Sequence, residues 1–209
     1  MTAHPRARAR KGEGDRLRDE ILDATQSLLV EMGSVDAVSI RAVADRVGVT
    51  PPSIYLHFAD KHELFFECCR RGFEALEGRM RAAARGRGTA VHRLRRMGKA
   101  YVEFGLENGE QYRVLFGGGP PPSVELPDGE ELPGSRAFAM LVETVAEGID
   151  SGVLRRDLDP VALAVAFWAA VHGTVMILLA DLGDAVRLPN PASVVGAVLA
   201  VVEGGSTAS

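Results

Sequence analysis

A chain of 209 residues with 46% hydrophobic residues is long enough for one domain or two small ones and too apolar to be disordered. Its 24 Lys+Arg against 28 Asp+Glu give a net charge of −4, which excludes a uniformly basic nucleic-acid coat but leaves room for a local basic patch. The two cysteines, Cys68 and Cys69, are adjacent, so they cannot staple a fold, and they are too few for a structural zinc site. With no apolar run in the first eleven residues, they point to a reducing cytoplasm.

Residues 1–14 read as a disordered basic arm in which Arg6, Arg8, Arg10 and Lys11 precede any acid. Residues 1–71, the arm included, hold 11 basic and 11 acidic groups and are neutral in sum, and an acidic body follows. From Asp15, the residues Leu17, Ile21, Ala24, Leu28 and Met32 recur at helical spacing, with Gly33 as the stop. Ser39 caps a second short helix that ends at Gly48, and Thr50 with Pro51 at the first position opens a third. Asp60-Lys61-His62-Glu63 has capping-box spacing and opens a fourth helix that runs through Met80, before Gly86 and Gly88.

Thr89 caps a fifth helix with the stripe Leu94, Met97, Tyr101 and Phe104, and a short piece follows at Tyr112 to Phe116. Residues 117–134 hold too many Gly and Pro for any regular element and read as a long loop. Helical spacing resumes at Phe138, Leu141, Val145 and Ile149, and Asp159-Pro160 and Asn190-Pro191 open two more helices. The tail 204–209 reads as disordered. No segment alternates long enough for a strand, so the expectation is an all-α fold of about nine helices without internal repeats.

Ser39 to Lys61, two short helices joined by Gly48-Val49, match a helix-turn-helix in which the second helix enters the major groove. Such a junction is common in all-α proteins, but the residues are more specific. Gly48-Val49-Thr50, Tyr55-x-His57-Phe58, Asp60-Lys61 and the preceding Ser39-Ile40-Arg41-Ala42-Val43-Ala44 resemble the signature of TetR-family transcriptional regulators. The close resemblance covers about residues 15–70. Trp168-x-x-x-His172-Gly173 resembles the motif of the family's "WHG" C-terminal type.

Thr50 and Ser53 open the helix whose start approaches base edges, and their hydroxyls can bond to bases or phosphates. Tyr55, His57 and Lys61 cluster at its end, and the resemblance implies that they grip phosphates. The plainer readings are a buried ring for Tyr55 and a capping group for His57. Ser39 and Arg41 could add a phosphate contact, or act as a cap and a solvated charge. Pro51-Pro52 departs from the family pattern, because proline offers no donor. Readout would then lean on Thr50, Ser53, thymine methyls and DNA shape, with the arm as a minor-groove supplement or a solubilising tail.

Val161 to Ala180 carries no Asp, Glu, Lys or Arg and could span about 30 Å of bilayer, but small residues and His172 at mid-depth speak against a membrane. A helix apolar all round must then be buried on both sides. One face, Leu163, Phe167, Ala170, Val171, Thr174 and Leu178, is assigned with Val194, Val198 and Val201 to a homodimer interface. The opposite face, Trp168, His172 and Met176, joins Phe73, Met97, Tyr101, Phe104, Phe138 and Leu141 in a candidate ligand pocket that an ordinary core would equally explain. The resemblance implies pairing of the last two helices with those of a partner, and two recognition helices about 34–36 Å apart.

The five histidines form no metal-spaced set, and no nucleophile elbow, P-loop or dinucleotide fingerprint occurs, so neither an enzyme nor a cofactor is expected. The expected organisation is a helix-turn-helix DNA-binding domain over 15–59 and a helical ligand-binding and dimerisation domain over 60–203. The expected function is a homodimeric repressor that binds a double-stranded, pseudo-palindromic operator and is released by a small apolar effector. The alternative is an interaction module of the same fold that has lost DNA binding.

Overall fold

The computed structural model describes residues 13–117, 131–180 and 190–206. The arm cations Arg6, Arg8, Arg10 and Lys11, most of the 117–134 loop and the last three residues lie outside the described residues. Among the described residues there are nine helices and no β-strand: α1 (Glu13–Met32), α2 (Ile40–Val47), α3 (Pro51–Ile54), α4 (Lys61–Ala84), α5 (Ala90–Glu107), α6 (Gly109–Gly117), α7 (Ser135–Asp150), α8 (Pro160–Leu179) and α9 (Pro191–Ser206). The chain is therefore all-α. Helix α1 begins ahead of Asp15, and α9 continues through Ser206, into the stretch expected to be a disordered tail.

The chain forms two compact units, Met1–Gly72 with Glu110–Glu130, and Phe73–Gly109 with Glu131–Ser209. The division falls within α4, and α6 belongs to the first unit.

In the first unit, Ile21, Leu22, Leu28, Val38, Val43, Ile54, Phe58 and Leu64 form one buried cluster. Local chemistry sets the helix limits. The Ser39 side chain accepts the Ala42 N–H at 3.1 Å, and Gly48, at φ 78°, lets its own N–H and that of Val49 reach the Ala44 carbonyl at 2.9 and 3.0 Å. A residue with a Cβ at Gly48 would be forced into the left-handed region. At the start of α4 the Glu63 N–H donates to Asp60 Oδ1 at 2.9 Å, while the Glu63 carboxylate accepts from the Ala59 N–H. That is the expected capping box, reaching one residue further back.

Arg71 of α4 reaches both Asp19 and Asp23 of α1, and Arg18 donates to Glu67 at 2.8 Å. Arg70, hydrogen-bonded to Glu67, holds that carboxyl below its ordinary range against the opposing effect of burial, with Arg18 adding to it. Such partly exposed pairs orient the two helices more than they stabilise them. Cys68 is buried with its Sγ 3.7 Å from the Leu22 carbonyl oxygen, and burial pushes its thiol up to about 12. A thiol so far from ionising is a packing group rather than a nucleophile. Helix α6 is longer than the expected Tyr112–Phe116 piece. Tyr112 is fully buried, and Gly72 lies so close that a Cβ there would stand 2.8 Å from Leu115.

In the second unit α8 packs against α5, α7 and α9. Its N-cap Asp159 accepts the Ala162 N–H at 2.8 Å, and Asn190 caps α9 by accepting the Ala192 N–H at 2.8 Å. Gly98 of α5 creates the close approach: a Cβ there would stand 2.8 Å from Phe167 and 2.9 Å from Leu199. This seating corrects the faces expected for α8. Phe167, Val171 and Thr174, assigned from sequence to a dimer interface, are buried within the protomer, and Leu163, Ala170, Leu178, Val194 and Val198 are half-buried. Trp168 and Met176, assigned to the interior, are 38% and 39% exposed. Phe167 turns inward because the Gly98 notch accepts its ring, and Ala162, Val165, Ala166, Ala169 and Ile177 remain outside.

Candidate nucleic-acid interface

The candidate reading segment is α3 with the turn after it. Helix α3 is shorter than expected, a single turn over Pro51–Ile54 that the His57 and Phe58 N–H groups extend by bonding to the Ile54 carbonyl at 2.9 and 3.1 Å. Ile54 and Phe58 anchor it in the core, which directs the intervening residues outward. Tyr55 is 51% exposed, so it is not a pinning ring, and Leu56 is 83% exposed. Leu56 is absent from the residues picked out by sequence, because a single leucine between Tyr55 and His57 carries no signal of its own.

Thr50 is exposed, Ser53 is half-buried, and their hydroxyl oxygens lie 3.0 Å apart. The Ser53 N–H is taken by the Thr50 carbonyl at 2.9 Å, and Pro51 and Pro52 have none, so donors at this helix start come from the two hydroxyls. Arg41 is exposed at the start of α2, where the Ser39 oxygen is engaged in capping. His57 is half-buried, with its Cε1 3.9 Å from where a Cβ on Gly14 would stand, so α1 begins beside the reading segment. Lys61 Nζ sits 5.1 Å from the Phe65 ring centre, a cation resting on an aromatic face at the head of α4. Hydroxyls, a phenol, an imidazole and an ammonium thus follow one another along one segment, a donor set suited to phosphate oxygens.

In the second unit, the candidate pocket residues divide. Met97, Phe104 and Leu141 are core, with the Thr144 hydroxyl 3.8 Å from the Met97 sulfur and Arg79 over the Phe104 ring at 5.8 Å. Phe73 packs beneath Gly134, where a Cβ would stand 2.9 Å from the ring. Tyr101, Trp168, His172 and Phe138 come together. Trp168 Nε1–H donates to Tyr101 Oη at 3.1 Å, Tyr101 Oη lies 3.2 Å from His172 Nδ1, and Phe138 meets the indole edge-on at 6.2 Å. Indole is a donor only, so the phenol oxygen accepts from Trp168, while the direction of the Tyr101–His172 bond is set by the imidazole tautomer. Gly173 leaves open space around its Cα within the protomer. A crevice between Gln26, Leu29, Cys68 and Gln111 in the first unit encloses about 10 Å³, room for one water.

Desolvation lowers the His172 pKa, which favours the neutral imidazole. The unfolded chain takes up a proton at the ordinary histidine value of 6.5 while folded His172 resists it, so stability is full above that pH and is lost as the pH drops toward the lowered value. The melting temperature is expected to fall between about pH 7.5 and 5.5, and less steeply in His172→Phe. Parallel thermal curves for the two proteins would remove His172 as the cause.

Comparison with known proteins points the same way. The family described as bacterial regulatory proteins, tetR family, matches residues 21–68, and the tetracyclin repressor-like C-terminal domain matches residues 94–201. The HTH-type transcriptional activator FasR of Mycolicibacterium smegmatis is 31% identical over 102 residues, 49% of this chain and 46% of FasR, so that alignment spans about half of each protein. The HTH-type transcriptional repressor KstR2 of Mycobacterium tuberculosis is 26% identical over 150 residues, 71% of this chain and 74% of KstR2. Among solved structures, a Rhodococcus sp. RHA1 protein of unknown function superposes with a TM-score of 0.75 at 22% identity, covering 98% of this chain and 100% of the other. The fatty acid degradation regulator FadR of Bacillus halodurans gives a TM-score of 0.68 at 15% identity over 90% and 98% of the two chains. The C-terminal match alone spans more than half of the sequence, the N-terminal match covers the helix-turn-helix, and the chain belongs to the TetR family of DNA-binding transcriptional regulators.

Proposed function

We propose that the protein acts in the cytoplasm as a homodimer, occupies a pseudo-palindromic operator and represses transcription until a small, largely apolar effector binds its C-terminal domain. The observation that carries this reading is the outer surface of α8. Val161, Ala162, Val165, Ala166, Ala169, Met176 and Ile177 are exposed on one side of a helix with no Asp, Glu, Lys or Arg, and Ala192, Ala197, Ala200 and Val201 are exposed on the adjoining α9. Apolar surface left in water costs roughly 25 cal/mol per Å², and contiguous patches of this kind mark interaction sites. A second copy presents the same patch, which is what a two-fold contact requires. The proposed interface is drawn from these residues, with Val201, 76% exposed, shared with the set expected from sequence.

The DNA-binding domain is placed over 15–59 and the ligand-binding and dimerisation domain over 60–203. Tyr55, His57 and Lys61 bind phosphates, Arg41 and Ser39 flank them, Thr50 and Ser53 offer hydroxyls to base edges, and Pro51, Pro52 and Leu56 meet thymine methyls. The Tyr101–Trp168–His172 network supplies polar handles among aromatic rings for the effector. The structural neighbours KstR2, described as a ketosteroid transcriptional regulator, and FadR, described as a fatty acid degradation regulator, support an effector of steroid or fatty-acyl character. Helix α4 contributes to both units and is the lever through which effector and operator compete, a coupling of about 1–3 kcal/mol in such systems.

The test is duplex binding as a function of salt. Promoter DNA flanking the coding region should bind with a steep slope of log affinity against log salt, and Lys61→Ala should flatten that slope by about one unit. No affinity for that DNA at low salt would sink the reading in favour of an interaction module, and an unchanged slope would strike Lys61 from the contacts.

A further inference from the structure

The chain from Gly48 to Ala59 contains no Arg, Lys, Asn, Gln, Asp or Glu. Those are the side chains that read base edges through paired hydrogen bonds in the major groove. Just ahead of it, Arg46 is committed to Glu31, donating to both carboxylate oxygens at 2.9 and 2.7 Å. The Thr50 and Ser53 hydroxyls share one hydrogen bond at 3.0 Å, so one O–H is left between them to donate outward. The backbone adds nothing at Pro51 and Pro52, and the Ser53 N–H is taken by the Thr50 carbonyl.

What this segment offers instead is apolar. Pro52, Tyr55 and Leu56 are exposed and stand at i, i+3 and i+4, so they share one face, while Ile54 and Phe58 are buried behind them. Among the described residues no large hydrophobic side chain is more exposed than Leu56. A single leucine in water is ordinary. One that adjoins a proline ring and a phenol, where polar readers would stand in a helix-turn-helix, is a surface shaped for an apolar feature of the duplex.

We infer that this face reads the 5-methyl groups of pyrimidines, so that methylation of cytosine at C5 within the operator strengthens binding. In the major groove the methyl is the apolar mark that sets thymine apart. A 5-methylcytosine carries the same group at the same ring position, with an amino donor at C4 in place of the thymine oxygen. The one free hydroxyl of the Thr50–Ser53 pair serves a donor or an acceptor alike, so the methyl is what this face discriminates. Burying one methyl is worth about fourfold in affinity. The inference rests on the operator-binding reading above and names the chemical feature which that site selects.

The test uses the site that the full chain enriches from a random duplex pool, with affinities read by fluorescence anisotropy. Deoxyuridine in place of a contacted thymine should weaken binding about fourfold, and 5-methylcytosine at that position should bind about fourfold tighter than cytosine. Both differences should shrink toward unity in Leu56→Ala or Pro52→Ala, whose side chains lie outside the core, with melting temperatures unchanged. Equal affinity for thymine and uracil at every position, or for 5-methylcytosine and cytosine, overturns the inference. So does a methyl effect of full size in both variants, because duplex shape rather than contact then carries it. A steep salt slope without methyl discrimination sinks this inference and leaves the DNA reading standing, whereas no affinity for any duplex sinks both.

Discussion

Replacing Ala169 by glutamate is expected to convert the proposed dimer into a 22.3 kDa monomer at micromolar concentration, with its helix content and protomer melting transition nearly unchanged. Ala169 is exposed in the middle of the outer α8 surface, so in an isolated protomer the new carboxylate stands in water. Surface substitutions of that kind usually shift stability by no more than about 0.5 kcal/mol. In a two-fold interface the same change buries two carboxylates without partners, and each unpaired buried charge costs several kcal/mol. Operator affinity should fall with it by about 10²- to 10⁴-fold, since each half-site is then held independently. Sedimentation velocity with and without duplex reads both effects. A glutamate variant that still sediments as a dimer would move the interface off α8.

The second large effect is expected at Phe58. Its ring is buried in the cluster with Ile21, Leu22, Ile54 and Leu64, and the Arg18 guanidinium lies 5.0 Å from its centre. Phe58→Ala removes a ring whose loss typically costs about 3–5 kcal/mol, and it frees Arg18 from its stacking partner. That is a large part of the stability of a small domain. DNA binding should be lost on warming to physiological temperature and recovered on cooling, because none of the proposed contacts is altered. The check is denaturant unfolding followed beside DNA binding at both temperatures. A stability within about 0.5 kcal/mol of wild type would mean that the cluster closes over the gap.

What can be read in advance follows from where the information sits along the chain. Ser39, Asp159 and Asn190 each hold a backbone N–H a few residues on, so those helix starts depend on sequence neighbours and are legible. The same holds for Gly48, where the turn demands a positive φ. The orientation of α8 is not legible, because a helix without a polar side has no internal sign of which face is outward. That sign is a missing side chain at Gly98, on another helix, which receives Phe167 and Leu199. The attachment of α6 is hidden for the same reason, since it rests on Leu115 meeting Gly72. Of the proposed nucleic-acid interface, the polar residues are drawn from the order Thr50, Ser53, Tyr55, His57, Lys61. Leu56 is not legible, because its exposure is fixed by Ile54 and Phe58 turning inward on either side of it.

The two prolines that open α3 have a consequence for how a duplex is met. Each ring locks φ near −65°, so Pro51 and Pro52 have already surrendered the freedom that a flexible reader gives up on contact. The Ile54 carbonyl, shared by the His57 and Phe58 N–H groups, clamps the far end of the same turn. Docking of this segment is therefore a rigid-body event rather than folding upon binding, and little of the contact energy is consumed in ordering it.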